Sequence, residues 1–486
     1  MSAFKGGIFT VAMRWADRLL GLVSTLILAR LLSPGDFGLV AMAMIVVGLV
    51  DVLLDLGVAS ALIQKGNADR HDFDSAWTMR AAQACCAAAI LTVLAPYCAD
   101  YYSDPRVTSV MRMVAVSIAI AGFENIGIVS FQKDMAFGLD FKFFVTKRVM
   151  TTIVTIALAL TLRSYWALVL GSLVGRTIGV ALSYWMHGFR PRVSFRRFRS
   201  IWAFSQWNLV MNAAAYASTR LDKFVLGRRE NAGAMGMYTL ADEVASLPTS
   251  ELLAPLGRVM FPAFVRVKSN SAEFKRLFLL AFSVQAVVGI PAGLGVALVA
   301  QQAVPLLLGD QWNASVPLVQ MLGLAGVFTV LTHSSHYMLL ALGKVRTLAI
   351  FYGGQCVGLA TLLFMVVPDA NAIQIAQSRL LVAALALLLM LALAKGATSA
   401  FQIRELVFNC WRPILASVPM VASVVAAATL ASSTSNLAIL LIKVSSGVLV
   451  YGLSIAGLWW VSGRPDGAER YIIQALSERF QTRRPS

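Results

Sequence analysis

Apolar runs of about 20 residues, each long enough to cross a bilayer as one helix, recur along this chain between short polar breaks. They cover approximately 10–31, 38–62, 76–98, 107–131, 142–163 and 164–188 before the densest basic stretch, HGFRPRVSFRRFRS from His187 to Ser200. Eight more follow at about 201–227, 236–262, 275–301, 315–340, 347–367, 373–394, 412–431 and 437–461. The pattern predicts an all-α polytopic membrane protein with about 14 transmembrane helices. Its expected divisions are a first six-helix lobe at 1–199, a second at 200–400, two accessory helices at 401–461 and a tail at 462–486. In that tail Ala468, Ile472, Ala475, Leu476 and Phe480 fall at helical spacing with arginines opposite, which predicts an interfacial helix.

One unit recurs. Ala29 to Ala43 (ARLLSPGDFGLVAMA) aligns without gaps on Gly227 to Ala241 (GRRENAGAMGMYTLA), matching Arg30 with Arg228, Gly35 with Gly233, Gly38 with Gly236 and Ala43 with Ala241. Both copies lie at the turn between the first and second spans of a series, which favours an internal duplication. Turns also recruit glycine for positive φ, so the paired glycines fit independent turns as well. Six spans per copy would relate the halves as a parallel repeat, about an axis along the membrane normal.

With 58% apolar and 13% charged residues and a mean hydropathy of +0.74, no water-soluble class fits. The formal charge of +17 is explained by placement. With the N-terminus in the cytoplasm, 28 of the 41 Lys and Arg fall in loops or at helix ends on the inner side and only seven outside, as the positive-inside rule requires. Nucleic acid need not be invoked. Both termini are then cytoplasmic. The five cysteines (Cys85, Cys86, Cys98, Cys356, Cys410) lack metal-ligand or CxxC spacing and are expected to be small core residues. Arg14, Asp17 and Arg18 interrupt the first apolar run, so no cleavable signal peptide is expected.

Charges inside the spans carry the candidate chemistry, because an ion at mid-bilayer must face a partner or a water-filled cavity. Arg14, Asp17 and Arg18 share one face of span 1. Hairpin geometry sets Arg18 level with Asp51, Arg14 with Asp55, Arg220 with Glu243 and Lys223 with Asp242. These ladders serve either to hold the hairpins or to line a cavity with cations that grip an anionic substrate. Glu124, Arg176 and Glu251 have no level partner. Arg176 suits a phosphate, and a lone carboxylate suits proton or sodium coupling. The acids of the span interiors, Asp222 among them, outnumber the unambiguous cations, which does not describe a strongly positive cavity. His333 and His336 fit packing or a proton relay. Pro248, Pro255, Pro262 and Pro291 are expected to kink or break spans 8 and 9.

Two stretches resemble the oligosaccharide flippases of the bacterial polysaccharide transporter family, in the multidrug/oligosaccharidyl-lipid/polysaccharide exporter superfamily. ARLLSPGDFGLVAMAMIVVGLVDVLLDLGVASALIQK (Ala29 to Lys65) is similar to the family's first helix pair, and Leu221 to Phe264 to its seventh and eighth helices. The resemblance implies two six-helix lobes moving undecaprenyl-diphosphate-linked repeat units across the bacterial inner membrane, for exopolysaccharide, capsule or lipopolysaccharide, without catalysis or cofactor. Polysaccharide polymerase and export machinery are the implied partners. It also implies that Arg14, Arg18, Arg176, Arg220 and Lys223 engage the diphosphate; the acids Asp51, Asp55, Glu124, Asp222 and Glu251, read from their places in the spans as cavity or ion-coupling candidates, depart from the simplest form of that picture. A multidrug antiporter and a lipid II flippase would share the fold. A membrane glycosyltransferase would need a larger outer loop than any here.

Overall fold

The computed structural model describes residues 2–54, 62, 69–194, 206–398, 401–430, 435–465 and 467–471. Among them every regular element is helical. We label α1 (Ser2–Leu31), α2 (Pro34–Leu54), α3 (Arg70–Tyr102), α4 (Arg106–Gly122), the short α5 (Val129–Lys133), α6 (Phe137–Leu162), α7 (Trp166–Met186), α8 (Gln206–Arg229) and α9 (Ala232–Val267). There follow α10 (Ser271–Leu308), α11 (Val316–Ala341), α12 (Val345–Thr361), α13 (Ala372–Ala397), α14 (Ile403–Leu430) and α15 (Asn436–Val461).

Ten described helices are long and apolar enough to cross a membrane, or eleven if α4 and α5, bent by 65° across the break at residues 123–125, form one span. The long helices α1, α8 and α9 are not among them; these three carry Arg14, Asp17, Arg18, Arg220, Lys223, Asp242 and Glu243. The chain divides into two compact units, Met1–Thr239 and Leu240–Ser486. The division falls after the basic loop because α8 packs along α2 and α3 within the first unit. The expected tail helix lies, beyond Tyr471, outside the described residues.

Capping chemistry sets the turn between α1 and α2. The Ser33 backbone N–H and hydroxyl donate to Asp36 Oδ2 at 3.0 and 2.6 Å, and the Asp36 N–H returns a bond to the Ser33 hydroxyl at 3.3 Å, a capping box. Asp36 Oδ1 also accepts from the Tyr165 N–H at 2.8 Å, tying this turn to the one between α6 and α7. In the second copy Asn231 Oδ1 takes the role of Ser33, accepting from the Ala234 N–H at 3.0 Å. The bond from Leu32 N to Leu28 O has its counterpart from Glu230 N to Leu226 O, each 2.9 Å.

The copies also meet. A Cβ on Gly38 would strike the Ala232 carbonyl, and a Cβ on Gly236 the Pro34 carbonyl, two positions the alignment equates. None of Gly35, Gly38, Gly233 or Gly236 has positive φ. Gly38 and Gly236 serve close backbone approach, not positive φ.

On α7 a ridge of Gly171, Gly175 and Gly179 takes Thr155, Thr151 and Lys147 of antiparallel α6, side chain against glycine in strict succession. Small residues every fourth position let membrane helices approach closely where apolarity gives no drive for helix against helix. Two expectations are corrected. Despite Pro248, Pro255 and Pro262, α9 runs without a break over 36 residues, and α10 runs on through Pro291, so these prolines break neither span. Cys410 is buried, but Cys85 and Cys86 are exposed.

Candidate functional site

The polar centre of the first unit is built on the break after α4. Asn125 Oδ1 accepts from the Gly127 N–H at 2.9 Å, its Nδ2 donates to the Phe189 carbonyl at 2.7 Å, and its backbone N–H donates to Ser183 Oγ at 2.9 Å. The bend is thereby pinned to the end of α7 and presents the neighbouring Glu124, which is buried. Arg80 Nη2 of α3 reaches Glu124 Oε2 at 2.6 Å, and Lys147 Nζ of α6 reaches Oε1 at 2.9 Å. The lysine gets there because Gly179 leaves room for its stem.

Glu124 therefore does have partners, and the expectation of an unmatched acid is corrected. Level matching considered only consecutive spans, whereas these cations come from α3 and α6. By their place at the expected span ends Arg80 and Lys147 count among the 28 inner-side charges, yet both reach Glu124. No sequence signal marks them, because the expected spans 76–98 and 142–163 put both near span ends.

Beside this triad is a cavity of about 240 Å³ whose lining includes Asp51 of α2, Arg80 and Gln83 of α3, Gly122 and Arg176 of α7. Arg176 makes no hydrogen bond or ion pair with any described residue. Asp51 and Glu124 are the negative charges acting on it. Counting Arg80, Lys147 and Arg176 against Asp51 and Glu124, this local cluster is net positive. Such an arrangement holds an anion: a guanidinium fork free to bond, beside a second arginine already oriented by a carboxylate.

The remaining candidates fall elsewhere. Arg14 and Arg18 are half-buried on α1, where Asp17 pairs with Arg148 of α6 at 3.2 Å. Arg220 is exposed on α8. Lys223 is buried beside Asp222, which accepts from Tyr238 Oη at 2.7 Å and from the Lys223 N–H at 2.8 Å. None of these lines the cavity. In the second unit Asp242 pairs with Arg379 at 3.0 Å, Lys443 donates to Gln302 Oε1 at 2.7 Å, and His336 Nδ1 lies 3.0 Å from Tyr352 Oη, a packing role. Asp55 lies outside the described residues, as does the side chain of Glu251.

The described helices form a membrane bundle that holds charged side chains in its interior. Its fold is similar to the lipid II flippase MurJ in an inward closed conformation, with a TM-score of 0.76 at 13% identity over 94% of this chain and 100% of that one. It is also similar to an inward-facing multidrug resistance transporter of the multidrug/oligosaccharidyl-lipid/polysaccharide exporter superfamily, with a TM-score of 0.60 at 14% identity over 79% and 95%. The family model for polysaccharide biosynthesis proteins matches residues 27–317, and the chain belongs to that family.

It is similar to the lipopolysaccharide biosynthesis protein WzxC of Escherichia coli, 25% identical over 73% of this chain and 76% of that one. It is also similar to the succinoglycan biosynthesis transport protein ExoT of Rhizobium meliloti, 25% identical over 63% of each. With the teichuronic acid biosynthesis protein TuaB of Bacillus subtilis it shares 22% identity over 60% and 62%.

Proposed function

We propose that this protein carries undecaprenyl-diphosphate-linked oligosaccharide repeat units across the bacterial inner membrane by alternating access between lobes 1–199 and 200–400, with both termini cytoplasmic. The sugars and diphosphate cannot enter hydrocarbon without a hydrated, charged path, while the isoprenoid tail needs none. What supports this most is Arg176, a guanidinium that makes no hydrogen bond or ion pair with any described residue, on a cavity lined by a second arginine and one aspartate. The cavity, about 240 Å³, is below the roughly 300–1,000 Å³ of sites that engulf a whole ligand, so it suits the diphosphate rather than the sugars.

Arg176 and Arg80 contact the diphosphate, and Glu124 and Asp51 keep those cations oriented. Arg14, Arg18, Arg220 and Lys223 supply further contacts along the route. Asp222 orients Lys223, and Asp55 and Glu251 are the candidates for ion coupling.

Deletion of the gene followed by extraction of membrane lipids tests the reading. A lipid-linked repeat unit should accumulate on the inner leaflet. Unchanged polysaccharide lipids with new sensitivity to cationic drugs would assign an antiporter, and arrested peptidoglycan synthesis a lipid II flippase.

A further inference from the structure

We propose that a second cavity, in the second unit at the N-terminal end of α10, binds the phosphate headgroup of an anionic phospholipid. It measures about 540 Å³ and shares no lining residue with the cavity at Arg176. Lys275 and Arg276 reach it from the second turn of α10, Asn409 from α14, and Arg470 and Tyr471 from the segment after α15.

That segment is fastened down. Arg412 and Glu469, both almost wholly buried, pair at 2.9 Å. Ala468 is fully buried against Val284 and Val287 of α10, and Trp459 Nε1 donates to the Pro465 carbonyl at 3.1 Å. Arg470 is thus presented by a docked wall rather than by a loose tail. Lys275 is neutralised by Glu405 at 2.5 Å, whereas Arg276 makes no hydrogen bond or ion pair with any described residue.

The chemistry of the lining distinguishes a lipid from a free anion. Arginine forks and the amide and hydroxyl of Asn409 and Tyr471 suit phosphate oxygens. Leu279 and Leu280, one turn further along α10, add an apolar wall that inorganic phosphate would not use but a glycerol backbone and the first acyl carbons would. Arg276 is only the sixth residue of α10, so the site lies at the helix end, at headgroup depth, where each cation near an anionic leaflet contributes about fivefold in affinity.

The purified full-length protein in neutral detergent provides the test, by its thermal unfolding midpoint on titration with phosphatidylglycerol, phosphatidylcholine or inorganic phosphate. Phosphatidylglycerol should raise the midpoint saturably while the other two leave it in place. Arg276→Gln should weaken the response about fivefold, and Asn409→Trp, which fills the cavity and removes no charge, should abolish it. Arg404→Gln, a basic residue at the same end but outside the cavity, should change nothing. An equal response to phosphatidylcholine or to inorganic phosphate would overturn the proposal. So would a full phosphatidylglycerol response in Asn409→Trp, or an equal loss in Arg404→Gln.

Discussion

Glu124 neutralises two cations at once, and its removal leaves both Arg80 and Lys147 facing each other inside the bundle. Breaking a buried pair costs about 3–5 kcal/mol. Because the two cations are 34% and 31% exposed, solvent screening reduces this, and Glu124→Gln should destabilise the protein by about 2–3 kcal/mol, measured by denaturant unfolding in detergent. Arg176 behaves oppositely. With no described partner to lose, Arg176→Ala should leave stability within about 0.5 kcal/mol while transport falls at least about tenfold, the loss of one charge-assisted bond or more. Arg176→Lys should recover only part of it, since an ammonium cannot form the planar fork. Arg176 was recognisable in the sequence as a lone charge in an apolar run. Arg80 and Lys147 were not, because residues two or three turns inside a long helix cannot be told from loop charges until the helix ends are known.

Among the elements, the α6–α7 pair shows how packing delivers chemistry. A Cβ at Gly179 would meet the Lys147 stem, with Cε at 2.5 Å, and the flexible side chain can move aside, away from Glu124. Gly179→Val should therefore resemble the loss of Lys147, lowering the unfolding midpoint by a few degrees without preventing insertion. Gly38→Ala has no such escape, because the atom it meets is the Ala232 backbone carbonyl, and the variant should fail to accumulate in membranes. Helix positions were readable from hydropathy alone. The unbroken course of α9 through three prolines was not, because neighbouring groups that resatisfy the freed carbonyls belong to tertiary structure.

The loop after α7 gives a pH signature. His187 Nδ1 accepts from the Phe189 N–H at 3.1 Å and its Nε2 lies 3.2 Å from Ser130 Oγ, so the neutral ring carries its proton on Nε2 and donates to the serine. Burial, reinforced by the Arg190 charge and opposed by Asp134, holds the imidazole below its ordinary value of 6.5. The unfolded chain then binds the proton more readily than the folded one. Stability should be intact above about pH 6.5 and decline as the pH falls toward 5, and His187→Gln should flatten that decline in melts across the range.

For the whole molecule, the duplication first visible as four matched residues is expressed as repeated caps, repeated backbone bonds and a reciprocal glycine contact. Fold class followed from the spacing of apolar runs, and the family from two motif stretches around those turns. The identity of the site did not, because it assembles side chains from α2, α3, α4, α6 and α7 and the loop between α4 and α5, which no single stretch of sequence brings together. The decisive experiment is transbilayer movement itself. Purified protein would be reconstituted into vesicles with a fluorescent undecaprenyl-diphosphate oligosaccharide, and an impermeant reductant used to report the outer-leaflet fraction. In protein-free vesicles about half the label is protected, as symmetric loading requires. With the wild-type protein nearly all should become accessible, and with Arg176→Ala protection should return. Protection of half the label in the presence of wild-type protein would contradict a flippase, and full accessibility with Arg176→Ala would contradict the site.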